Sequence, residues 1–449
     1  MNYSLLRRRF FEPLHARLSS TTKLDYWLKL QRSQFLSQDE LLDIQRQRLH
    51  ELINFVWHHN SFYRQRMEQS DLSAADIGGP ADLRKLPVLT KADVRLNMKG
   101  ILSHGFDKTE LQIAKTGGST GKSLELYFTE ECSELRNACA RRHDCWTGWR
   151  PGEPIAACWG NPKLPKTLKE KIKANLLQPY IYLDTMHVDE AAIKIFLAQW
   201  RKVKPTLLYG HAHSIYLLAD SIKTMGIDTP QPKGILSTSM MLIPSERKVI
   251  EEVFGIKVTD RYGCEEVSLI ASECEQHHGM HLNIEHLVIE FLRDDGTPAS
   301  PGEPGKIVVT DLLNKAMPFI RYQVEDVGVL SDRVCSCGRG LPLMEHVTGR
   351  VADFLIKADG TKIAGISIIE NTLTDIVGIG QMQLIQEKLD LIFIKIVPGP
   401  DYSTETKETL LSYFSGLFGT GVEFTVELVE QILPEPSGKY RFSICRVKQ

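Results

Sequence analysis

Between Ile155 and Gly255, short β-type runs ("PIAAC", "PTLLYG", "KGILSTS") alternate with helix-patterned stretches such as "EAAIKIFLAQWRKV". Strands joined through helices return in the same direction, so this segment predicts a largely parallel sheet flanked by helices. The chain reads differently on either side. Residues 1–100 are mostly helical, and "DELLDIQRQRLHELINFVWHHNSFYRQRM" sets Leu, Ile and Phe at helical spacing on one face. From about Met280 to Met344, "HLVIEFLRDDGTPASPGEPGKIVVTDL" is strand, turn, proline-rich loop and strand, which predicts a β-rich subdomain. "HVTGRVADFLI" then opens a last α+β section, with "LDLIFIKIV" and "VEFTVELV" as strands and a hinge near Gly349–Asp353. The expected fold is α/β. Residues 1–100 form the helical part of a large domain, 101–348 its core with the β-rich subdomain, and 349–449 a small mobile C-terminal unit.

The 449 residues suit roughly two to three domains with a buried core. A net charge of -2 gives no general attraction to nucleic acid or anionic membrane. No apolar run nears the ~18 residues needed to span a bilayer, and no secretory segment is visible. "MNYSLLRRRFFEPLHARL" is basic and partly apolar, suited to an ordinary docked helix or to one resting on a membrane surface. The nine cysteines, odd in number and irregular in spacing, do not make a disulfide framework, so a reducing cytoplasm is the expected setting.

"IAKTGGSTGKSLELYF" has the glycines, hydroxyls and lysine of a phosphate-holding loop. Gly121, Lys122 and Ser123 would close a G-x-x-x-x-G-K-[ST] motif, but the required first glycine is Thr116. That motif also needs a strand before it and a helix after it. Here Leu111–Ala114 reads as a strand and Leu124–Phe128, alternating apolar and polar, as another. A helix is expected only from Thr129, a good N-cap followed by Glu130 and Glu131. The loop therefore belongs at a hairpin; a glycine-rich turn without a ligand is the plain alternative.

Four later stretches change its reading: "DRYGCEEVSLIASEC", "MPFIRYQVEDVGVLSD", "HVTGRVADFLI" and "EPSGKYRFSI". With the loop, in order and spacing, they resemble the adenylate-forming superfamily of acyl-CoA synthetases, luciferases and peptide-synthetase adenylation domains. The nearer resemblance is to the phenylacetate–CoA ligase family, especially the branch found with capsular polysaccharide genes, of which "CSCGRGLP" followed by "GRVADFLI" is characteristic.

The resemblance implies the following roles. Thr116, Gly117, Gly118, Ser119, Thr120, Gly121 and Lys122 match the family's phosphate loop, which would hold the β- and γ-phosphates of ATP; Ser123 replaces its usual proline. Tyr262 would lie against adenine. Glu266 falls on the glutamate for Mg²⁺, with Glu265 in place of the common Ser or Thr; a solvated Glu265–Glu266 pair is the plain alternative. Asp326 would accept hydrogen bonds from two ribose hydroxyls, with Glu325 replacing the usual glycine. Arg350 would stand near ribose and phosphate, or else pair with Asp353 at the surface. Lys439 matches the C-terminal lysine that neutralises charge during adenylation.

Members of the family also carry a structural Zn²⁺ in the β-rich region. C-x-C with a distant Cys-x6-His suits closed tetrahedral ligation. The chosen ligands are Cys274, His281, Cys335 and Cys337, with His277 and His278 as competitors for the histidine. Free thiols in turns are the plain reading. Cys132, Cys139 and Cys145, spaced by seven and six on one predicted helix, are expected to pack rather than ligate. "LLYGHAHSIYLLA" and "STSMML" occupy family positions of the acyl pocket, where His211, His213, Tyr216 and Met240 are candidates; either histidine also reads as a core residue.

The implied activity is ATP- and Mg²⁺-dependent activation of a small carboxylic acid as acyl-AMP, followed by transfer to CoA. Transfer to an amine or hydroxyl of an amino acid or sugar in polysaccharide biosynthesis is the alternative, and a non-catalytic scaffold is a third reading. The sequence leaves the acid, the acceptor and the oligomeric state open, a homodimer included.

Overall fold

The computed structural model describes residues 3–115, 124–160, 165–348, 354–399, 401–433 and 441–447. The loop Thr116–Ser123, the expected hinge with Arg350, and Lys439 lie outside the described residues.

The N-terminal part holds α1 (Tyr3–Leu6), a π-helical turn (Arg7–Phe11), α2 (Glu12–Ser19), α3 (Lys23–Ser33), α4 (Gln38–His59), α5 (Ser61–Glu68) and α6 (Lys91–Leu96). A capping box starts α4: Ser37 accepts from the Glu40 N–H while the Glu40 carboxylate accepts from the Ser37 N–H. Its buried stripe is Leu41, Gln45, Leu49, Leu52, Ile53 and Val56, the spacing of one helical face. Asn60 is extended and accepts from the Tyr63 N–H, so the long helical pattern becomes two helices.

β1 (Gln112–Lys115) and β2 (Glu125–Phe128) pair antiparallel, Gln112 opposite Phe128 and Lys115 opposite Glu125. Strands thus flank the glycine loop on both sides, and α7 (Glu130–Trp146) begins at Thr129, which accepts from the Cys132 N–H. There follow β3 (Ile155–Trp159), α8 (Leu168–Leu177), β4 (Tyr180–Asp184), α9 (Glu190–Val203), β5 (Leu207–His211), α10 (Ala212–Met225), β6 (Gly234–Thr238), α11 (Pro244–Phe254) and β7 (Val258–Cys264). β4, β3, β5, β6 and β7 are parallel neighbours in that order. β6 is buried from end to end, as a parallel strand covered on both faces must be. α9 buries Ile193, Phe196, Leu197 and Trp200 on one face, each aliphatic or phenyl group contributing about 1.5–3 kcal/mol by leaving water.

The β-rich part comprises β8 (Ser268–Glu273), β9 (Met280–Leu282), β10 (Leu287–Leu292), β11 (Pro304–Asp311), β12 (Tyr322–Ser331) and β13 (Leu343–Thr348). These strands continue the parallel ones beyond β7, in the order β8, β9, β13, β12, β11, β10, to give one eleven-stranded sheet. β7 pairs parallel with β6 and antiparallel with β8, so it is the seam between the two halves. The register shifts between Tyr262 and Gly263, and a Cβ at Gly263 would lie 2.5 Å from the Ser268 carbonyl oxygen. Only glycine permits that approach.

The C-terminal section contains β14 (Phe354–Ile356), β15 (Lys362–Ala364), α12 (Gly365–Asp375), β16 (Ile379–Lys388), β17 (Leu391–Pro398), α13 (Thr404–Phe418), β18 (Glu423–Leu428) and β19 (Ser443–Cys445). Its four-stranded sheet runs β18, β17, β16, β19. The strands expected in "LDLIFIKIV" and "VEFTVELV" are β17 and β18. Among the described residues, no helix is long and apolar enough to cross a membrane.

A buried ion pair ties the helical part to the sheet. Arg142 on α7 donates to Glu285 and, at 2.8 Å, to Asn283 Oδ1; Ser33 on α3 donates to the other Glu285 oxygen. Both charged side chains are buried. Glu285→Ala is expected to cost about 3–5 kcal/mol, since it strands a guanidinium in the interior. A joint Arg142→Met, Glu285→Leu change should cost much less. Urea midpoints of the three proteins check this.

Candidate functional site

Three of the motif residues meet at the seam strand and its neighbours. Tyr262 on β7 donates its hydroxyl to Asp326 Oδ2 on β12 at 2.8 Å, across 64 residues of chain. Glu266, in the turn after β7, is buried, and its Oε1 accepts from the Tyr322 hydroxyl at 2.9 Å. Lys91 Nζ lies 3.9 Å from the same oxygen, also buried. Glu265 is exposed beside it.

The hairpin that carries the glycine loop is fastened to this cluster. Arg136 on α7 stacks over the Phe128 ring at 5.1 Å, at the end of β2. The same guanidinium donates to the Glu266 carbonyl at 3.0 Å and to the Asp311 carboxylate at 2.7 Å. Asn314 donates to the Tyr127 carbonyl at 3.0 Å. One helix thus holds the end of the hairpin against the turn that presents Glu266.

The sequence reading missed Lys91, Tyr322 and Arg136. Lys91 sits in the first turn of α6, behind the Thr90–Asp93 capping box. A cation there opposes the helix dipole, and that anomaly was the available signal of a carboxylate partner. Backbone pairing of Leu89 with Arg321 and Gln323 delivers Lys91 beside Tyr322. Tyr322 and Arg136 carry no spacing signal of their own.

Of the acyl-pocket candidates, His211 ends β5 and is buried with its ring 3.9 Å from the Trp159 ring. Burial, helped by neighbouring His213, pulls its pKa down to about 3, so it stays neutral. His213 pairs with buried Glu246, its ring 5.7 Å from that of Tyr216, and Met240 is buried nearby in sequence after β6. Asp260, next to Arg261 on β7, accepts from the Ser237 hydroxyl at 2.8 Å. Burial, with the Glu273 carboxylate alongside, pushes it up to about 7.

The cysteine constellation comes together. The ligand atoms of Cys274, His281, Cys335 and Cys337 all lie within 4.8 Å of one another. Cys274 Sγ is 3.7 Å from Cys335 Sγ, and Cys337 Sγ is 3.3 Å from His281 Nε2. A tetrahedral Zn²⁺ with Zn–S of about 2.3 Å requires sulfur–sulfur edges of roughly 3.8 Å, so the donor set fits this ion. His281 Nδ1 donates to the Leu341 carbonyl at 2.9 Å, which turns Nε2 toward the thiols. Its competitors stand apart: His277 pairs with Glu273 at 3.3 Å, and His278 is exposed. Burial pushes the Cys274 thiol up. At Cys337 burial acts the same way, but hydrogen bonds from Arg339 outweigh it and hold the thiol below its ordinary range. Arg339 also donates to Gln34 Oε1 at 3.0 Å, which accepts from Trp146 Nε1 at 2.8 Å. Cys132, Cys139 and Cys145 are buried along α7, as packing residues are.

The fold is shared with a CoA ligase of known structure. 2-Hydroxyisobutyryl-CoA ligase, solved with 2-HIB-AMP and CoA in its thioesterification state, superposes with a TM-score of 0.63 over 92% of each chain at 19% identity. In sequence, the chain is similar to CapK and to phenylacetate-coenzyme A ligases. Protein CapK of Staphylococcus aureus is 24% identical over 418 residues, 91% of this chain and 90% of that one. Phenylacetate-coenzyme A ligase of Thermus thermophilus is 24% identical over 331 residues, covering 72% and 73%. Residues 355–446 match the family model of the CapK C-terminal domain.

Proposed function

We propose that the chain is an ATP-dependent ligase that activates a carboxylic acid as its acyl-adenylate and passes the acyl group to CoA. The observation that carries this reading is the Tyr262–Asp326 hydrogen bond, with Glu266 set one turn away against Tyr322 and Lys91. The named activities of the phenylacetate-coenzyme A ligase relatives agree with it.

In this reading Asp326 fixes the ribose by accepting from its vicinal hydroxyls, while the Tyr262 hydroxyl holds the carboxylate in place and its ring faces the base. Thr116–Lys122 embrace the β- and γ-phosphates. Glu266 supplies a hard oxygen for Mg²⁺, which would neutralise phosphate charge when bound, and Tyr322 and Lys91 keep that carboxylate from turning away. Arg350 stands by ribose and phosphate. The substrate carboxylate attacks the α-phosphate in line and pyrophosphate leaves, giving a mixed anhydride. The C-terminal unit then turns at 349–353 and the acceptor takes the acyl group. Cys274, His281, Cys335 and Cys337 hold a structural zinc away from these steps.

Pyrophosphate exchange with a panel of carboxylates tests the first half-reaction, and an acceptor panel on the winning acid tests the second. Exchange with no acid in the panel, in folded protein that binds ATP, would count against the ligase reading; discharge by an amine or hydroxyl but not by CoA would replace the acceptor. Asp326→Ala is expected to weaken ATP binding through lost charge-assisted bonds, each worth about 1.5–3 kcal/mol. Unchanged nucleotide affinity by calorimetry would remove the ribose role. Tyr262→Phe is the control for the shared hydrogen bond and should lose less.

A further inference from the structure

The near-neutral net charge conceals a local concentration of cations around exposed apolar groups. On the N-terminal segment Tyr3, Phe10, Leu14 and Leu18 are exposed, Leu18 to 78%. On α8, Leu168, Ile172 and Leu176 recur every fourth residue and are exposed, Leu168 to 74%, and the helix buries no residue. At about 100° per residue these three fall within roughly 80° of one face. Lys169 and Lys173 follow on one flank of that stripe and Lys171 on the other, all exposed.

The two segments meet. Arg7 Nε donates to the Asn175 carbonyl of α8 at 2.9 Å, and Arg7 Nη1 to the Gly152 carbonyl at 3.3 Å. A Cβ at Gly152, where φ is +84°, would stand 2.7 Å from the Ser4 carbonyl oxygen and 2.9 Å from Arg7 Cβ. The N-terminal helix is therefore seated against the body of the protein beside α8. Arg7, Arg8, Arg9 and Arg17 lie along it. The acids of these two segments are engaged elsewhere: Glu12 pairs with Arg141, and Glu170 accepts from the N–H groups of Lys166 and Thr167.

An apolar stripe bordered by lysines fits a plane with anionic headgroups above hydrocarbon. Two-fold pairing with a second copy would set these arginines and lysines against their own kind. We propose that residues 3–19 and α8 together form a peripheral docking face for an anionic lipid bilayer, independent of the ligase reading.

The test is pelleting of the full chain with vesicles of pure phosphatidylglycerol and of pure phosphatidylcholine. Binding is expected to the first and not the second, and to fall as salt shortens the Debye length. Ile172→Glu with Leu176→Glu should lower binding at least about tenfold while leaving the thermal midpoint in place. Lys169→Glu with Lys173→Glu should do the same. Failure to bind phosphatidylglycerol, or equal binding by the variants, overturns the proposal. A concentration-dependent dimer in sedimentation that Ile172→Glu abolishes would also overturn it, assigning the face to a second copy.

Discussion

Lys439→Ala is expected to lose pyrophosphate exchange by about 10²–10³-fold, the usual cost of removing one group that stabilises transition-state charge. It should keep its fold and discharge synthetic acyl-AMP onto the acceptor at close to the wild-type rate. The reason is electrostatic. In adenylation a carboxylate approaches an anionic α-phosphate, and without a cation the two repel in a water-poor cleft. In the proposed transfer step the attacked carbonyl would already be activated as a mixed anhydride, and the proposed rotation of the C-terminal unit would withdraw the lysine. Equal losses in both half-reactions would make Lys439 a uniform binding or structural residue. No loss in either would break the motif alignment at "PSGKYR".

Protein purified without chelator is expected to carry one zinc per chain, and Cys337→Ser should unfold at a markedly lower temperature before it alters chemistry. Structural zinc contributes about 10–16 kcal/mol in isolated finger peptides near neutral pH, as much as the 5–15 kcal/mol net stability of a typical domain. Even a fraction of that, released when a ligand is lost, shifts the melt. Thiols bind only as thiolates, so acidification should release the ion and lower stability in step. Elemental analysis showing no metal in such a preparation would sink the assignment.

Much of the framework was legible because its signals are local. The strands around the glycine loop, the Thr129 cap and the strand–helix alternation from Ile155 each follow from spacing within a dozen residues. The grouping of Cys274, His281, Cys335 and Cys337 was legible to the same extent: C-x-C at Cys335–Cys337 and Cys274-x6-His281 are short-range patterns. Spacing could not choose among His277, His278 and His281, because the choice depends on which ring a neighbouring strand turns inward. Pairing of β9 with β13 sets His281 opposite Leu343, and the Leu341 carbonyl orients its ring. Lys91, Tyr322 and Arg136 were illegible for a related reason. Their hydrogen-bond and ion-pair partners in the cluster lie more than a hundred residues away, apart from the 56 between Glu266 and Tyr322, and no periodicity encodes a single long-range contact. The union of the parallel and antiparallel strands into one sheet was equally out of reach, since nothing local to β7 announces two different neighbours.

The bond from Arg339 to Gln34 spans 305 residues, and the one from Trp146 to the same oxygen spans 112. Gln34 is thus a meeting point for the helical start of the chain, the helix after the glycine hairpin and the cysteine knuckle. Such remote pairings form slowly, since much chain must be ordered before they reward it. The Arg339–Gln34 bond therefore forms only once the first helices have found the large sheet. A metal held by these four ligands would then be fastened from the far end of the chain, and undocking the first helices would loosen the segment just beyond Cys337.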